Sequence, residues 1–321
     1  MRKLILLLSV VLLAACNDKP SERIIDDSVG GINGLHIVID NELWKGTVGD
    51  TIRSLFAAPV DGLPQEEPLF TLNQMPESAF TDFMRKNRIY LKVAQADSTG
   101  FSMVENVYAK PQTGAIITGT TNEEIINLLD EHADDIIAEF KNREIKEKQR
   151  RISLSLKDDE LLKKNLGVSL KFPTAYRYAK TEDDFFWIRK DIQNGGMNII
   201  AYEVPLSVID KDTSRIANIV RMRDSIGGRN VTVDEGGRFI TEAAYFPYIF
   251  ETNIDGKFAY ETKGTWEVLN KYMAGPFVNY AIRDEENNRY VILEGFVFAP
   301  NVEKRDNMFE LESILRSAKI N

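Results

Sequence analysis

"AYFPYIFETNIDGKFAYETKGTWEVL", residues 244–269, holds two runs rich in aromatic and β-branched side chains on either side of Asp255-Gly256. A two-residue hairpin turn needs positive φ at both positions, which Asp-Gly supplies, so the stretch predicts a β-hairpin. Downstream, "PFVNYAIRDEENNRYVILEGFVFAP" (276–300) predicts a second hairpin that turns near Asp284–Asn288. Upstream, "FFWIRKDI" and "MNIIAYEV" predict a third across Gln193-Asn194-Gly195-Gly196. Between the hairpins, Asp212-Thr213-Ser214 offers caps for an amphipathic helix bearing Ile216, Ile219, Val220 and Ile226, ended by Gly227-Gly228. A last helix, over about 304–318, places Met308, Leu311, Ile314 and Leu315 on one face. Consecutive hairpins with helices packed on them make an antiparallel sheet of α+β class.

The first half has another grain. "LHIVID" (35–40) reads as a buried strand, and Asp40 and Asn41 can cap the helix after it, weakened in its middle by Gly46 and Gly49. Further strands are expected in "PLFTLNQM", "RIYLKVAQ", "FSMVENVYA" and "GAIITGT", with a short helix capped by Ser78 over residues 78–87. Thr121-Asn122-Glu123-Glu124 has the pattern of a capping box and opens a long helix. Ile125, Leu129, Ala133, Ile136, Ile137 and Phe140 share one side of that helix, and beyond Phe140 the apolar stripe thins. There "KNREIKEKQRR" (141–151) interleaves glutamates with cations at helical spacing, which reads as a solvated face bridging two domains.

The N-terminus supplies an address. Met1-Arg2-Lys3 is followed by an uncharged run from Leu4 to Leu13, the anatomy of a secretory signal. A helix of that length spans about 15 Å, half of a bilayer's hydrocarbon core, so it is no ordinary membrane span. Leu13-Ala14-Ala15-Cys16 ends it, and Cys16 is the single cysteine of the 321-residue chain. These residues resemble the lipobox of bacterial lipoproteins. The resemblance implies cleavage before Cys16 and acylation there, and two or more acyl chains anchor a protein stably. The expected organisation is a signal peptide (1–15), a flexible tether (16–28), an N-terminal α/β-type domain ending in the long helix (29–156) and a C-terminal antiparallel α+β domain (157–321). No dense acidic run follows Cys16, which favours attachment facing the periplasm.

Composition narrows the function classes. The chain is 43% hydrophobic and 28% charged, which is ordinary for a folded protein. Its net charge is −9, and the leader holds two of the cations, so a nucleic-acid partner is not expected. The two histidines, His36 and His132, lie far apart with no cysteine beside them, so no metal site is expected. No strained serine elbow occurs; Ser225 in "MRDSIGG" reads as a helix terminus closed by a left-handed Gly227. "GTVGDT" (46–51) lacks the lysine of a phosphate loop, and "DKDTS" (210–214) lacks the later residues of a calcium loop. The acidic clusters Glu182-Asp183-Asp184, Asp134-Asp135 and Glu285-Glu286 are sequence neighbours, whereas a glycosidase needs carboxyls that face each other across a pocket. The aromatics of "FFW" (185–187) and "YFPYIF" (245–250) suit either core and edge cover or a sugar or peptide platform.

The strings "DSVGGINGL", "DNELWKG", "MNIIAYE", "VRMRDSIG", "MAGPF", "EGFVFAP" and "EKRDNMFELE" resemble a family of uncharacterised Bacteroidetes lipoproteins defined by a domain of unknown function. That resemblance covers nearly all of the chain beyond the leader and implies location but no catalytic residue. The order of elements in the second half, ending in "ESILRSAK", is similar to PsbP-like domains, modules that mostly bind partners or assist assemblies. The resulting expectation is an envelope-anchored, non-catalytic binding or assembly module without a cofactor. Its partners would be the membrane, through Cys16, and another envelope protein. The alternative is a carboxylate-dependent envelope glycan or peptide hydrolase.

Overall fold

A computed structural model describes residues 25–233 and 236–321. Cys16, the signal peptide and most of the tether lie outside the described residues. The chain is α+β, with two domains.

The main sheet of the N-terminal domain has five strands among the described residues: β1 (Gly34–Val38), β2 (Thr71–Met75), β3 (Ile89–Gln95), β4 (Gly100–Glu105) and β5 (Thr113–Gly119). They lie in the order β2-β1-β3-β5-β4, parallel except for β4, which runs antiparallel to β5. Helices α1 (Thr47–Phe56) and α2 (Asn122–Ile152) cover one face, where Ile52 and Phe56 of α1 and Leu129, Ile136 and Phe140 of α2 meet Leu35, Leu91 and Ile117. The opposite face carries a smaller cluster around Phe80 and Tyr90. Asp40 caps a five-residue helix, Asn41–Lys45, which Gly46 separates from α1. A Cβ on Gly49 would lie 1.9 Å from the Trp44 carbonyl oxygen, so glycine is what lets the two helical segments meet. The helix expected to be capped by Ser78 is instead a 3-10 turn (Glu77–Ala79) and a four-residue helix (Asp82–Arg85), because the chain reverses at Phe80 to bury its ring.

The capping box at Thr121 forms: its hydroxyl accepts from the Glu124 amide, and Glu124 accepts from the Thr120 amide. The far end of α2 corrects the expectation of a solvated face. Glu144 is fully buried and Glu147 nearly so, both facing the Arg88 guanidinium. Alternating charges thus hide an internal ion pair whose partner lies in β3's approach, more than fifty residues away. Burial opposes ionisation of Glu147, yet hydrogen bonds from Arg150 and Arg151, with the charge of Arg88, hold its pKa at about 2, below the ordinary 4.5. A carboxylate depressed by folding adds stability above its unfolded pKa and loses it as pH falls through the folded one. Acid unfolding followed by circular dichroism should therefore show a loss between about pH 4.5 and 2 that Glu147→Gln flattens. An unchanged acid slope in that variant would refute the assignment.

In the C-terminal domain, β6 (Arg177–Thr181), β7 (Phe185–Ile192), β8 (Gly195–Pro205), β9 (Phe239–Thr241), β10 (Tyr248–Ile254), β11 (Lys257–Val268), β12 (Ala274–Asp284) and β13 (Arg289–Phe298) form one antiparallel sheet. The order is β9-β11-β12-β13-β8-β7-β6, with β10 also paired to β11. The Asp255-Gly256 turn has positive φ at both residues, as the opening stretch predicts. Helix α3 (Arg215–Asn230) packs on one face of the sheet and α4 (Arg305–Leu315) on the other. Strand β13 shows the division: Tyr290, Ile292 and Phe296 face α3, and Val291, Leu293 and Val297 face α4. Gly295 lets α4 close in, since a Cβ there would lie 2.9 Å from Leu311 Cβ.

Helix α3 does not end at Gly227-Gly228 but runs on to Asn230. Gly227 sits within the helix under the Phe239 ring, 3.1 Å from where its Cβ would be, so close packing and not a left-handed cap explains it. The buried side also differs from the expected stripe: Ile219, Met222 and Arg223 are buried, whereas Ile216 and Val220 are partly exposed.

Contacts join the domains. The Glu67 carboxylate accepts from the amides of Lys304 (2.8 Å) and Arg305 (2.7 Å), capping α4 from a loop of the N-terminal domain. A carboxylate at a helix N-terminus satisfies orphan amides and opposes the helix dipole. Glu67→Ala should cost about 2 kcal/mol in urea unfolding and speed amide exchange at Lys304 and Arg305. Stability within 0.3 kcal/mol of wild type, by that same order-of-magnitude reckoning, would remove the cap from the account. Lys148 of α2 pairs with Glu310 of α4 at 2.7 Å, and Gln149 donates to the Ser313 carbonyl.

Candidate functional site

Past the C-terminal end of α3, the sheet face is left uncovered. The uncovered part is a cleft of about 530 Å³, with Val231, Thr232 and Val233 of the chain after α3 on one wall. Its floor is aromatic because inward positions of β9, β11 and β13 carry Phe239, Trp266, Phe296 and Phe298. The rings pack edge-on or tilted: Phe239 to Phe296 at 4.8 Å, Phe239 to Trp266 at 5.2 Å and Trp266 to Phe298 at 6.3 Å. The Trp266 indole N–H donates to the Val297 carbonyl, which fixes that ring. The β7–β8 hairpin adds the other wall, with Trp187 donating to Asn198 Oδ1 at 3.0 Å. Arg189, 2.9 Å from Asp191, lies across Gly196 at the rim. No carboxylate lines the cleft among the described residues.

Beside this floor, on the same face of the sheet and under α3, lies a sealed ion pair. Arg223 of α3 holds Glu294 of β13 through Nε (3.0 Å) and Nη2 (2.9 Å), and donates to Thr241 Oγ1 at 2.8 Å. Asn279 of β12, register partner of Glu294, donates to its other oxygen at 3.0 Å. The guanidinium is stacked between the rings of Phe277 (3.8 Å) and Phe239 (4.8 Å). Burial raises the Glu294 pKa against the opposing pull of Arg223 and Asn279. Arg223 and Glu294 are both fully buried, so the pair braces Phe239 and the floor and has no path to a ligand.

The residues singled out in the sequence disperse. His36 sits half-buried in β1, its pKa lowered by burial, and His132 stacks on Phe101 at 4.0 Å in the N-terminal domain. Ser225 is exposed on α3, while its neighbour Asp224 accepts from the amide and hydroxyl of Thr241. "GTVGDT" enters α1, and Asp212 caps α3's approach by accepting from Ser214 N. The acidic clusters at 134–135, 182–184 and 285–286 are exposed and apart from the cleft. Of "FFW", Phe185 and Phe186 enter opposite core layers and only Trp187 reaches the cleft. Arg223 and Glu294 were missed by motif reasoning. One signal was present: a lone carboxylate inside "YVILEGFVF" must be paired or neutral if that strand is buried.

Fold and cleft together define a two-domain α+β protein with an aromatic-floored cleft in its second domain. The chain belongs to the family defined by a domain of unknown function, DUF4837, which matches residues 155–317. A second domain of unknown function, DUF8532, matches residues 28–153. No curated protein matches the chain. Among solved structures, it is similar to the Saccharomyces cerevisiae Ran-binding protein Mog1p, with 10% identity and a TM-score of 0.31 over 48% of this chain and 89% of that one. A mutant of Mog1 is similar at 10% identity and a TM-score of 0.29, over 48% and 90%. Likeness at this level carries no functional argument. No helix among the described residues is long and apolar enough to cross a membrane.

Proposed function

We propose that the chain is a cell-envelope lipoprotein of Bacteroidetes lineage, held to a membrane by acyl chains on Cys16 and facing the periplasm. Its C-terminal domain binds an extended segment of another envelope protein in the aromatic cleft, without catalysing a reaction. The observation that carries this reading is the cleft itself: concave, apolar-floored, lined by amides, a guanidinium and the Lys271 side chain, and braced at its side by the Arg223–Glu294 pair. A hydrolase would want two carboxyls facing each other there, one with a raised pKa, and among the described residues of this domain the carboxyl with a raised pKa is the sealed Glu294.

The test is affinity capture of the lipidated protein from its native envelope, beside Trp187→Ala and Cys16→Ser. Wild type should recover a partner that crosslinks to cleft residues, and Trp187→Ala should lose most of it. Cys16→Ser should leave uncut precursor or release the protein from membranes. Recovery of the same partner by Trp187→Ala would overturn the cleft. A membrane-bound, normally cut Cys16→Ser would overturn the anchor. Cleavage of glycan or peptide by purified protein, abolished by replacing one carboxylate, would replace binding by hydrolysis.

A further inference from the structure

Away from the cleft, the segment before β10 leaves its largest side chains in solvent. Phe246 is 79% exposed and Tyr245 65% exposed, and Tyr248 beside them is half exposed. Single exposed apolar side chains are ordinary, but a contiguous set rimmed by polar groups marks an interaction surface. Tyr245 and Phe246 form a ridge between two hollows, lining both. One hollow, of about 340 Å³, is walled by Ile216 and Val220 of α3, the side chains that the helix does not bury in the core. The other, of about 450 Å³, lies between this ridge and the loop 59–66 of the N-terminal domain.

The charges around the ridge are mostly acidic. Asp61 and Glu66 line the larger hollow, whose lining includes no cation, although Lys141 attracts Asp61 from the neighbouring cavity. Asp224 and Glu242 line the smaller, where the one cation, Arg221, is hydrogen-bonded to Asn218. Asp61, Glu66 and Glu242 make no ion pair among the described residues, and the Lys263 ammonium next to this surface turns inward to Glu261 and Glu312. Rings give cations a favourable face, and unpaired carboxylates add attraction and steering.

We propose that this saddle docks an extended segment of a second protein in which a lysine or arginine adjoins an apolar or aromatic side chain. The apolar chain fills the hollow against Ile216, Val220 and Phe246. The cation lies on the ring ridge and is drawn to the carboxylates, of which Glu66 belongs to one domain and Glu242 to the other. Because both domains contribute, the occupant also ties them together. A second copy of this acidic surface would repel it, and an anionic membrane would too.

The probe is a fluorescently labelled, acetylated and amidated peptide of alternating phenylalanine and lysine, with a glutamate-for-lysine counterpart, titrated with the mature protein in detergent by anisotropy. The lysine peptide should bind at least tenfold more tightly than the glutamate peptide and weaken severalfold between 50 and 300 mM salt, as screened charge attraction requires. Phe246→Ser, at a solvent-exposed position, should weaken it about tenfold, as should the double change Glu66→Lys with Glu242→Lys, both judged for folding by circular dichroism. Trp187→Ala should leave it unchanged, which separates this surface from the cleft. Equal binding of both peptides, retention by Phe246→Ser, or loss only in Trp187→Ala would each overturn the proposal. So would self-association, or binding to anionic phospholipid vesicles by a non-lipidated form, that Phe246→Ser abolishes while the lysine peptide fails to bind.

Discussion

Arg223→Ala will lower the stability of the C-terminal domain by about 3–5 kcal/mol, the cost of stranding a buried charge by removing its partner. Glu294 is fully buried between α3 and the sheet, and once Arg223 is gone only the existing hydrogen bond from Asn279 remains to it. The loss also removes the cation on which Phe239 leans, so the cleft floor loosens and tryptophan fluorescence from Trp266 should shift before unfolding. Replacing both partners by apolar residues of similar volume, Arg223→Met with Glu294→Leu, should recover most of the loss, because no charge is then left unpaired. Urea unfolding of the three proteins decides it. If the single variant costs under about 1 kcal/mol, or the double costs more than the single, the pair is not the brace described.

Removing Arg88 will have a comparable effect at the other end of the molecule, about 3–5 kcal/mol, with a different signature. Glu144 accepts from Arg88 Nη2 at 3.0 Å and from the amide of Asn33 at 2.7 Å, and Arg88 also donates to the Gly31 carbonyl at 2.9 Å. Asn33, at φ 58, is where the chain turns into β1. The pair therefore fastens the segment that leads into β1 to the C-terminal part of α2, and Arg88→Ala should speed amide exchange over residues 26–33 at denaturant concentrations where the C-terminal sheet is still protected. Glu144→Gln should cost less than Arg88→Ala, since the amide oxygen still accepts from Asn33. Uniform exchange across both domains would show that this network is not a local clasp.

Both networks mark where sequence reading stops. The Asp255-Gly256 hairpin, the capping box at Thr121 and the hairpin turning near Asp284–Asn288 were legible because each is written in local periodicity or turn chemistry. The helix at 78–87 misled, since Ser78 has the right chemistry for a cap but the burial of Phe80 competes with it. Gly227-Gly228 misled for a related reason: a glycine required by a ring packed against a helix reads like a glycine that ends one.

What the sequence by itself determined is the class: an α/β-type first domain and an antiparallel sheet with helices in the second. Those features depend on side-chain alternation, helical spacing and turn residues, all of which act over a few neighbours. What only the tertiary structure decided is which charges are internal and where a ligand can sit. Glu144 and Lys146 look alike in "REIKEKQRR", yet one is sealed against Arg88 and the other is exposed. Trp187 and Phe298 come within one cleft although 111 positions separate them, because β8 and β13 pair between them. A charge's cost and a cleft's shape are set by what the rest of the chain brings alongside, and that information has no local period to read.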